Sequence, residues 1–299
     1  MVLNANKKRK CNDGRLFYYL VFALPILQFC IFYIGVNFNS ILLAFKRYDS
    51  VTGDYSIVWF DNFKTFFQNI KVDPSLNFAI KNSLLRYVLG LGISMPLSLI
   101  FSYYIFKKKF AHKTLQCFLF LPNILSSIVM CMIFMQISGH VFPAIGLKDY
   151  LANIDTRFMT IVFFNIWVGF GAHVLLYSSA MGGVSPSIID AAQVDGANAL
   201  CEFLFIVLPM IFPTISTFLI TGIAGIFIDQ ANLYSFYSYT ADPSTYTVGY
   251  YLFTQIVGKA SGYASYPYAA SAGLVCTIIA APLTLLVKWL LEKYGPSEG

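Results

Sequence analysis

The chain is 299 residues long, with 58% of its residues in the set AVILMFWYC and only 11% charged. An ordinary soluble domain carries about 25% charged residues, and so few charges cannot cover so much apolar surface in water. Composition therefore excludes a soluble globule, a disordered chain and a nucleic-acid module, and describes a polytopic membrane protein. The net charge of +6 matters through its placement rather than its sum.

A spanning helix needs about 20 mostly apolar residues. Six stretches meet that length: Leu16 to Phe45, Ala79 to Phe106, Leu115 to Ile137, Phe158 to Met181, Leu204 to Ile228 and Pro267 to Leu291. Backbone groups in lipid must be bonded internally, and the runs are too long for barrel strands, so the expected fold is all-α with six transmembrane helices. Residues 1–15 form a basic N-terminus, 16–291 the membrane domain and 292–299 a short tail. The first run follows Lys7, Lys8, Arg9, Lys10 and Arg15 but is longer than a signal peptide's apolar region, so it is expected to stay as an anchor. The six cysteines (11, 30, 117, 131, 201 and 276) are scattered, with no C-x-x-C pair and none in the segments assigned outside. That argues against a disulfide framework or zinc site and for thiols as soft packing groups.

Orientation follows from the basic loops. Five Lys/Arg precede the first span, Lys107, Lys108, Lys109 and Lys113 crowd the link between the second and third, and Lys288 and Lys293 flank the end of the sixth. All fall on one side of a six-span chain, which places both termini in the cytoplasm. Segments 46–78, 138–157 and 229–266 then lie outside. There Lys46, Arg47, Lys64 and Lys71 are offset by Asp49, Asp54, Asp61 and Asp73.

The link between the fourth and fifth spans breaks this pattern. Gly182 to Phe203 holds Asp190, Asp195 and Glu202 but neither Lys nor Arg. Ser185-Pro186-Ser187 reads as a helix start, Gly196 can end that helix, and Ala199 to Val207 can resume it. Two short helices joined at a glycine form a knob, over residues 182–207, suited to a partner's groove. Leu208-Pro209 would end the knob and begin the fifth span.

From Asp190 the chain runs Asp-Ala-Ala-Gln-Val-Asp-Gly-Ala-Asn-Ala-Leu-Cys-Glu-Phe-Leu-Phe-Ile-Val-Leu-Pro. This resembles the signature of ATP-binding-cassette (ABC) importer permeases: an acidic residue, two alanines, a glycine, then Ile-x-Leu-Pro. Ala191, Ala192, Gly196, Ile206, Leu208 and Pro209 match, and Asp190 stands where the family usually has Glu. Six such matches arise by chance about once in a million starting points at ordinary residue frequencies. Asp195-Gly196-Ala197, with Pro213 four residues past Pro209, resembles the carbohydrate branch. Asn82-Ser83-Leu84, Phe120-Leu121-Pro122 and Gly262-Tyr263-Ala264-Ser265 agree more loosely, and Leu43-Ala44-Phe45 resembles the MalF-like member of the usual pair. The likeness runs from about residue 17 to 291. Two departures touch the particular sugar: Leu115-Gln116 replaces a basic residue before the third span's Phe-Leu-Pro, and Ser238 to Pro243 replaces a Gly-rich stretch.

The resemblance implies a type I ABC importer architecture. It further implies that Asp190, Ala191, Ala192, Asp195, Gly196, Ala197, Ile206, Leu208 and Pro209 transmit closure of nucleotide-binding subunits to the pore. The small alanines would admit a partner's backbone, Gly196 would permit a bend, and the aspartates would meet a basic rim. It implies two cytoplasmic ATPase subunits carrying ATP and Mg, a second homologous permease, an extracytoplasmic solute-binding protein and a carbohydrate substrate, in a bacterial plasma membrane. This chain has no G-x-x-x-x-G-K-[ST], so it holds no ATPase or cofactor of its own.

For the path itself, Asn165, Trp167 and Gly169 in the fourth span pair an amide and a ring with open backbone. Equally, Asn165 bonds a neighbouring helix and Gly169 permits close packing. Gly222 and Gly225 in the fifth span read first as packing glycines and second as path-lining. Asp229 and Gln230 end that span near the outer face. Arg86 reads as snorkelling at the outer boundary of the second span, and Tyr234 to Tyr251 as an outer-surface loop with interfacial aromatics. His112, His140 and His173 are isolated. An ion-coupled transporter would need intramembrane carboxylates or an inverted repeat, and a membrane enzyme a cluster of reactive side chains; neither is found. A glycerol phosphate, a polyamine or a peptide are the alternative solutes, and a phosphorylated one would call for basic residues deep in the path, where none is evident.

Overall fold

The computed structural model describes residues 17–258 and 262–296. The basic N-terminus expected over 1–15 lies outside the described residues. The described residues fall into two units, 17–66 with 262–274 and 67–258 with 275–296.

In the first unit, α1 (Phe17–Ala44) is apolar on every face, and Ala44 alone of its residues is buried. A helix apolar all round belongs in lipid or against a partner. The hairpin of β1 (Lys46–Tyr48) and β2 (Tyr55–Ile57) follows, antiparallel, with Arg47 opposite Ser56. The helix α2 (Asp61–Val72), of which this unit holds the residues to Phe66, is tied to it by Asn62, whose amide donates to the Ala44 and Lys46 carbonyls at 2.8 and 2.7 Å. Hairpin and helix thus lie in a segment that the sequence assigned only as an outer connector.

In the second unit, α3 (Pro74–Phe106) starts at the Asp73 cap, with Pro74 in its first turn, and carries a π-helical turn at Gly90–Ser94. The third apolar run departs from expectation. It is split between α4 (His112–Ile124) and α5 (Ser127–Ala144), because Leu125 is extended and the Ser126 side chain caps a new helix. Pro122, unable to donate a backbone hydrogen bond, precedes the break. The helix long enough to cross is therefore α5, running to Ala144 rather than ending near Ile137. The fourth span is α6 (Ile154–Gly182), capped by Asn153. Close packing of α4 on α6 requires Gly171, where a Cβ would run into the Leu119 carbonyl.

The helix α7 (Pro186–Val194) and α8 (Ala199–Met210) form the knob, and α9 (Phe212–Gly225) leaves α8 at a 67° bend. The expectation that Leu208-Pro209 ends the knob needs correcting, since α8 runs through both and the bend falls at Ile211. Pro213 in the first turn of α9 has no N–H to continue the ladder. Among the described residues five helices are long and apolar enough to cross, six if α8 and α9 make one broken span.

Beyond α9 the chain does not form a surface loop. Helices α10 (Leu233–Tyr237) and α11 (Val248–Val257) fold into a buried cluster with Met130, Phe134, Ile161 and Phe164. Tyr250 is fully buried and donates to the Ser238 carbonyl at 2.7 Å. Gly249 is required there, because a Cβ would strike the Ile228 carbonyl. Of the tyrosines in the run, only Tyr234 and Tyr239 are exposed as expected of interfacial rings. The last helix, α12 (Tyr266–Tyr294), belongs to both units by residue range.

Candidate functional site

Two places in the second unit carry the candidate residues: the knob and a cavity among α3, α6 and α9. In the knob, Ser185 precedes Pro186 at the first turn of α7, and Asp195 ends it. Gly196 then takes φ +83°, a conformation that L residues rarely adopt. Its N–H donates to the Gln193 carbonyl at 3.1 Å and that of Ala197 to Ala192 at 2.9 Å, closing the helix. Asn198 caps α8 by accepting from the Cys201 N–H at 2.8 Å. Asp190, Ala191, Asp195 and Gly196 are exposed around this turn.

Ala192 is buried, together with Ile189 one turn earlier, so of the two alanines only Ala191 offers the open face that both were expected to provide. Ile206 and Leu208 pack partly buried on a core of Leu99, Tyr177, Met181, Ile189, Phe203 and Val207. Pro209, half-buried, sits in the last turn of α8.

One buried charge was not singled out in the sequence. Glu202 is 2% exposed, and its two oxygens lie 2.8 and 3.0 Å from Lys107 Nζ. Tyr103 Oη donates to it at 3.0 Å and Gln193 Nε2 at 3.4 Å. A buried carboxylate persists only when paired and hydrogen-bonded. The signal was present: an acidic loop without a basic residue faces a loop of four lysines on the same side.

The cavity holds about 230 Å³ and is lined by Arg86, Tyr87, Asn165, Gly222, Gly225 and Asp229 among others. A more polar cleft of about 460 Å³ shares Arg86, Asn165 and Asp229 and adds Gly169, Gln230 and Asn232. Arg86 does not snorkel: its Nη1 lies 2.5 Å from Asp229 Oδ2. A basic residue therefore lines this cavity, with its charge balanced by Asp229. Arg86 Nε is buried without a partner.

Asn165 reaches the cavity, yet its amide is occupied. It donates to the Ile161 and Ala231 carbonyls at 2.8 and 2.9 Å and accepts from Asn232 at 2.8 Å. These bonds hold a turn in which Ala231 and Asn232 both have positive φ, and the Asp229 carboxylate caps the same turn at the Ala231 N–H, 2.7 Å away. Asn165 thus positions Asp229 as well as lining the wall. A Cβ on Gly222 would stand 3.0 Å from the Tyr87 ring, whereas Gly225 has open space and Gly169 meets only His173, at 3.9 Å. Trp167 is not brought to the cavity; its ring packs 6.3 and 6.2 Å from those of Phe134 and Phe164. Among the described residues, no three His, Cys, Asp or Glu side chains are grouped to hold a metal ion.

A family model described as the binding-protein-dependent transport system inner membrane component matches residues 89–297. The chain belongs to that family. It is thus a multi-pass membrane component of a transport system that works with a binding protein. Similar proteins include the multiple sugar-binding transport system permease protein MsmF of Streptococcus mutans, 22% identical over 91% of this chain and 93% of that one. The arabinooligosaccharides transport system permease protein AraP of Bacillus subtilis is 24% identical over 90% of this chain and 86% of its own. Among solved structures, a chain of a bacterial ABC transporter involved in import of the acidic polysaccharide alginate has the same fold, at a TM-score of 0.76 and 22% identity over 96% of this chain and 99% of that one.

Proposed function

We infer that this chain is one of two homologous permease subunits enclosing the path of an ATP-driven importer for a carbohydrate, an oligosaccharide by preference. A solute-binding protein outside would deliver the solute. Two cytoplasmic ABC ATPases, carrying ATP and Mg, would drive the knob from below, with both termini on their side in a bacterial plasma membrane. The coupling residues are Asp190, Ala191, Ala192, Asp195, Gly196, Ala197, Ile206, Leu208 and Pro209. The path residues are Arg86, Asn165, Gly169, Gly222, Gly225 and Asp229.

The observation that carries this reading is the cavity wall, where a guanidinium and a carboxylate stand side by side above two glycines and the Tyr87 ring. Such a wall offers donors and acceptors to hydroxyls and a ring face to the sugar's apolar side, while its charges cancel. A phosphorylated solute would need a surplus cation, which the Arg86–Asp229 pairing removes. The names of the two relatives, which concern sugars, support the same class.

Purification of the tagged chain from its native membrane in mild detergent tests the assembly. Mass spectrometry should recover a second six-span permease and a P-loop ATPase in stoichiometric amounts. A homogeneous chain alone, transporting in liposomes on an ion gradient without ATP, would refute it.

A further inference from the structure

Three side chains from two elements donate four bonds to Glu202. Lys107 and Tyr103 come from the cytoplasmic end of α3 and stand one helical turn apart; Gln193 comes from α7; the carboxylate belongs to α8. Both helices of the knob and the end of α3 therefore meet at one side chain that is 3% exposed. Apolar contacts of Phe203 and Val207 with Leu99 and Tyr177 already hold the knob in place. Such contacts are non-directional, whereas an ion pair completed by hydrogen bonds fixes register, the best-attested use of a buried polar group.

A second ion pair joins α3, at Arg86 within the helix, to Asp229. Arg86 lies 21 residues before Lys107 on α3, about 30 Å away at helical rise, and Asp229 follows the end of α9. The cavity lies between the two pairs. The lower carboxylate is saturated with bonds. The upper one is 42% exposed and its partner's Nε is unsatisfied.

We propose that Lys107 and Glu202 are positioning residues that make the knob and the cytoplasmic end of α3 one moving body, and a pivot about which α3 and α9 separate at the Arg86–Asp229 end. Force on the knob then reaches the cavity through α3 as well as through the bend at Ile211. This rests on the coupling role proposed above for the knob.

The test uses the assembled transporter with its companion subunits, its cysteines other than Cys201 replaced by serine. One sample carries spin labels at Cys201 and Lys108→Cys, across the joint. Another carries them at Cys201 and Lys148→Cys, from knob to outer loop. With a non-hydrolysable ATP analogue and Mg, the long distance should shift by several ångström and the distance across the joint should not. Glu202→Gln, which keeps the side chain's size, should turn the single peak across the joint into a broad distribution, Lys107→Gln likewise. Tyr103→Phe, which keeps the ion pair, should broaden it less. The exchanged pair, Lys107→Glu with Glu202→Lys, should restore a single peak, an outcome that simple loss of packing does not give. A Glu202→Gln distribution identical to wild type, or a wild-type joint distance that moves with nucleotide, overturns the proposal. A long distance indifferent to nucleotide overturns the coupling role instead; the joint is then decided by the nucleotide-free breadth of Glu202→Gln alone.

Discussion

The knob and the cavity each contain one ion pair made by α3, and the two pairs are built differently. At the knob, the Glu202 carboxylate is enclosed and every bond it needs is present. At the cavity, Asp229 is half-exposed, Arg86 keeps an unpartnered nitrogen, and the adjoining turn holds two non-glycine residues at positive φ. A satisfied buried network specifies one geometry, whereas an incomplete one next to open space can exchange its partner for a ligand or water. The comparison teaches that rigidity and responsiveness sit on the same helix, about a membrane thickness apart.

The largest expected effect breaks the knob. Gly196→Leu forces an L residue to φ +83°, at a cost of about 1–2 kcal/mol if the turn is kept. The space around it is open, with nothing within 4 Å, so the damage is to backbone direction rather than packing. Uptake of labelled solute by cells should fall to background while the membrane fraction retains the chain. Asp190→Lys, also exposed, should do likewise without straining the backbone. Gly92→Ala is the contrasting control: its Cβ also meets nothing, its φ is ordinary, it lies outside the knob and the cavity wall, and uptake should stay near wild type. Wild-type uptake in both knob variants would remove the knob from coupling.

Next in size is the cavity pair. Arg86→Ala leaves Asp229 unpaired against the solute and should raise the half-saturating solute concentration about tenfold, equivalent to about 1.4 kcal/mol. The charge-exchanged pair Arg86→Asp with Asp229→Arg should recover part of that loss. Asn165→Ala should raise the same concentration several-fold. It removes two donated bonds and one accepted bond, each worth about 1 kcal/mol net, and frees the turn that aims Asp229. Unchanged half-saturation in Asn165→Ala, with lowered thermal stability, would confine Asn165 to packing.

These residues also mark how far the sequence could be read. The spans were legible because lipid demands a run of apolar residues whatever surrounds it, and the knob motif because its spacing and its glycine are local. The break at Leu125 was not, because an apolar run looks the same whether continuous or capped anew at Ser126. The bend at Ile211 lay between two visible prolines, yet which of them would break the helix depends on packing. Tyr234 to Tyr251 read as surface because aromatic residues suit both an interface and a core, and only their partners on α5 and α6 decide. Lys107–Glu202 and Arg86–Asp229 are contacts between residues 95 and 143 positions apart. No local pattern carries such information, and a basic residue near a membrane boundary has an ordinary explanation that hid Arg86. Trp167 shared a helix with Asn165 but not its face, as a two-residue separation on a helix allows.

The smallest expected effect concerns acid, and it separates the turns at Asp149 and Asp242 from the two ion pairs by their hydrogen bonds. The Ser244 hydroxyl and backbone N–H hold the Asp242 carboxyl below its ordinary value, and the Ser138 hydroxyl with the N–H groups of Ala152 and Leu151 does the same for Asp149. Both carboxylates open short turns outside the spanning helices, Asp242 at 2.9 Å from the Ser244 N–H and Asp149 at 3.0 Å from that of Leu151. Because their folded values are depressed, the stability they add is fully present above the unfolded value of about 3.9. It is lost as pH falls through the folded values. Nothing should therefore change between pH 5 and 8, and the segment around 238–248 should loosen only in stronger acid. Hydrogen exchange on the purified transporter at pH 6 and near pH 3 measures this, after correction for intrinsic rates. Asp242→Asn, which cannot gain a charge, should already exchange slightly faster at pH 6 and lose part of the acid response. An acid response undiminished in Asp242→Asn would move its origin to Asp149, where Asp149→Asn gives the matching test at the far side of the same buried cluster.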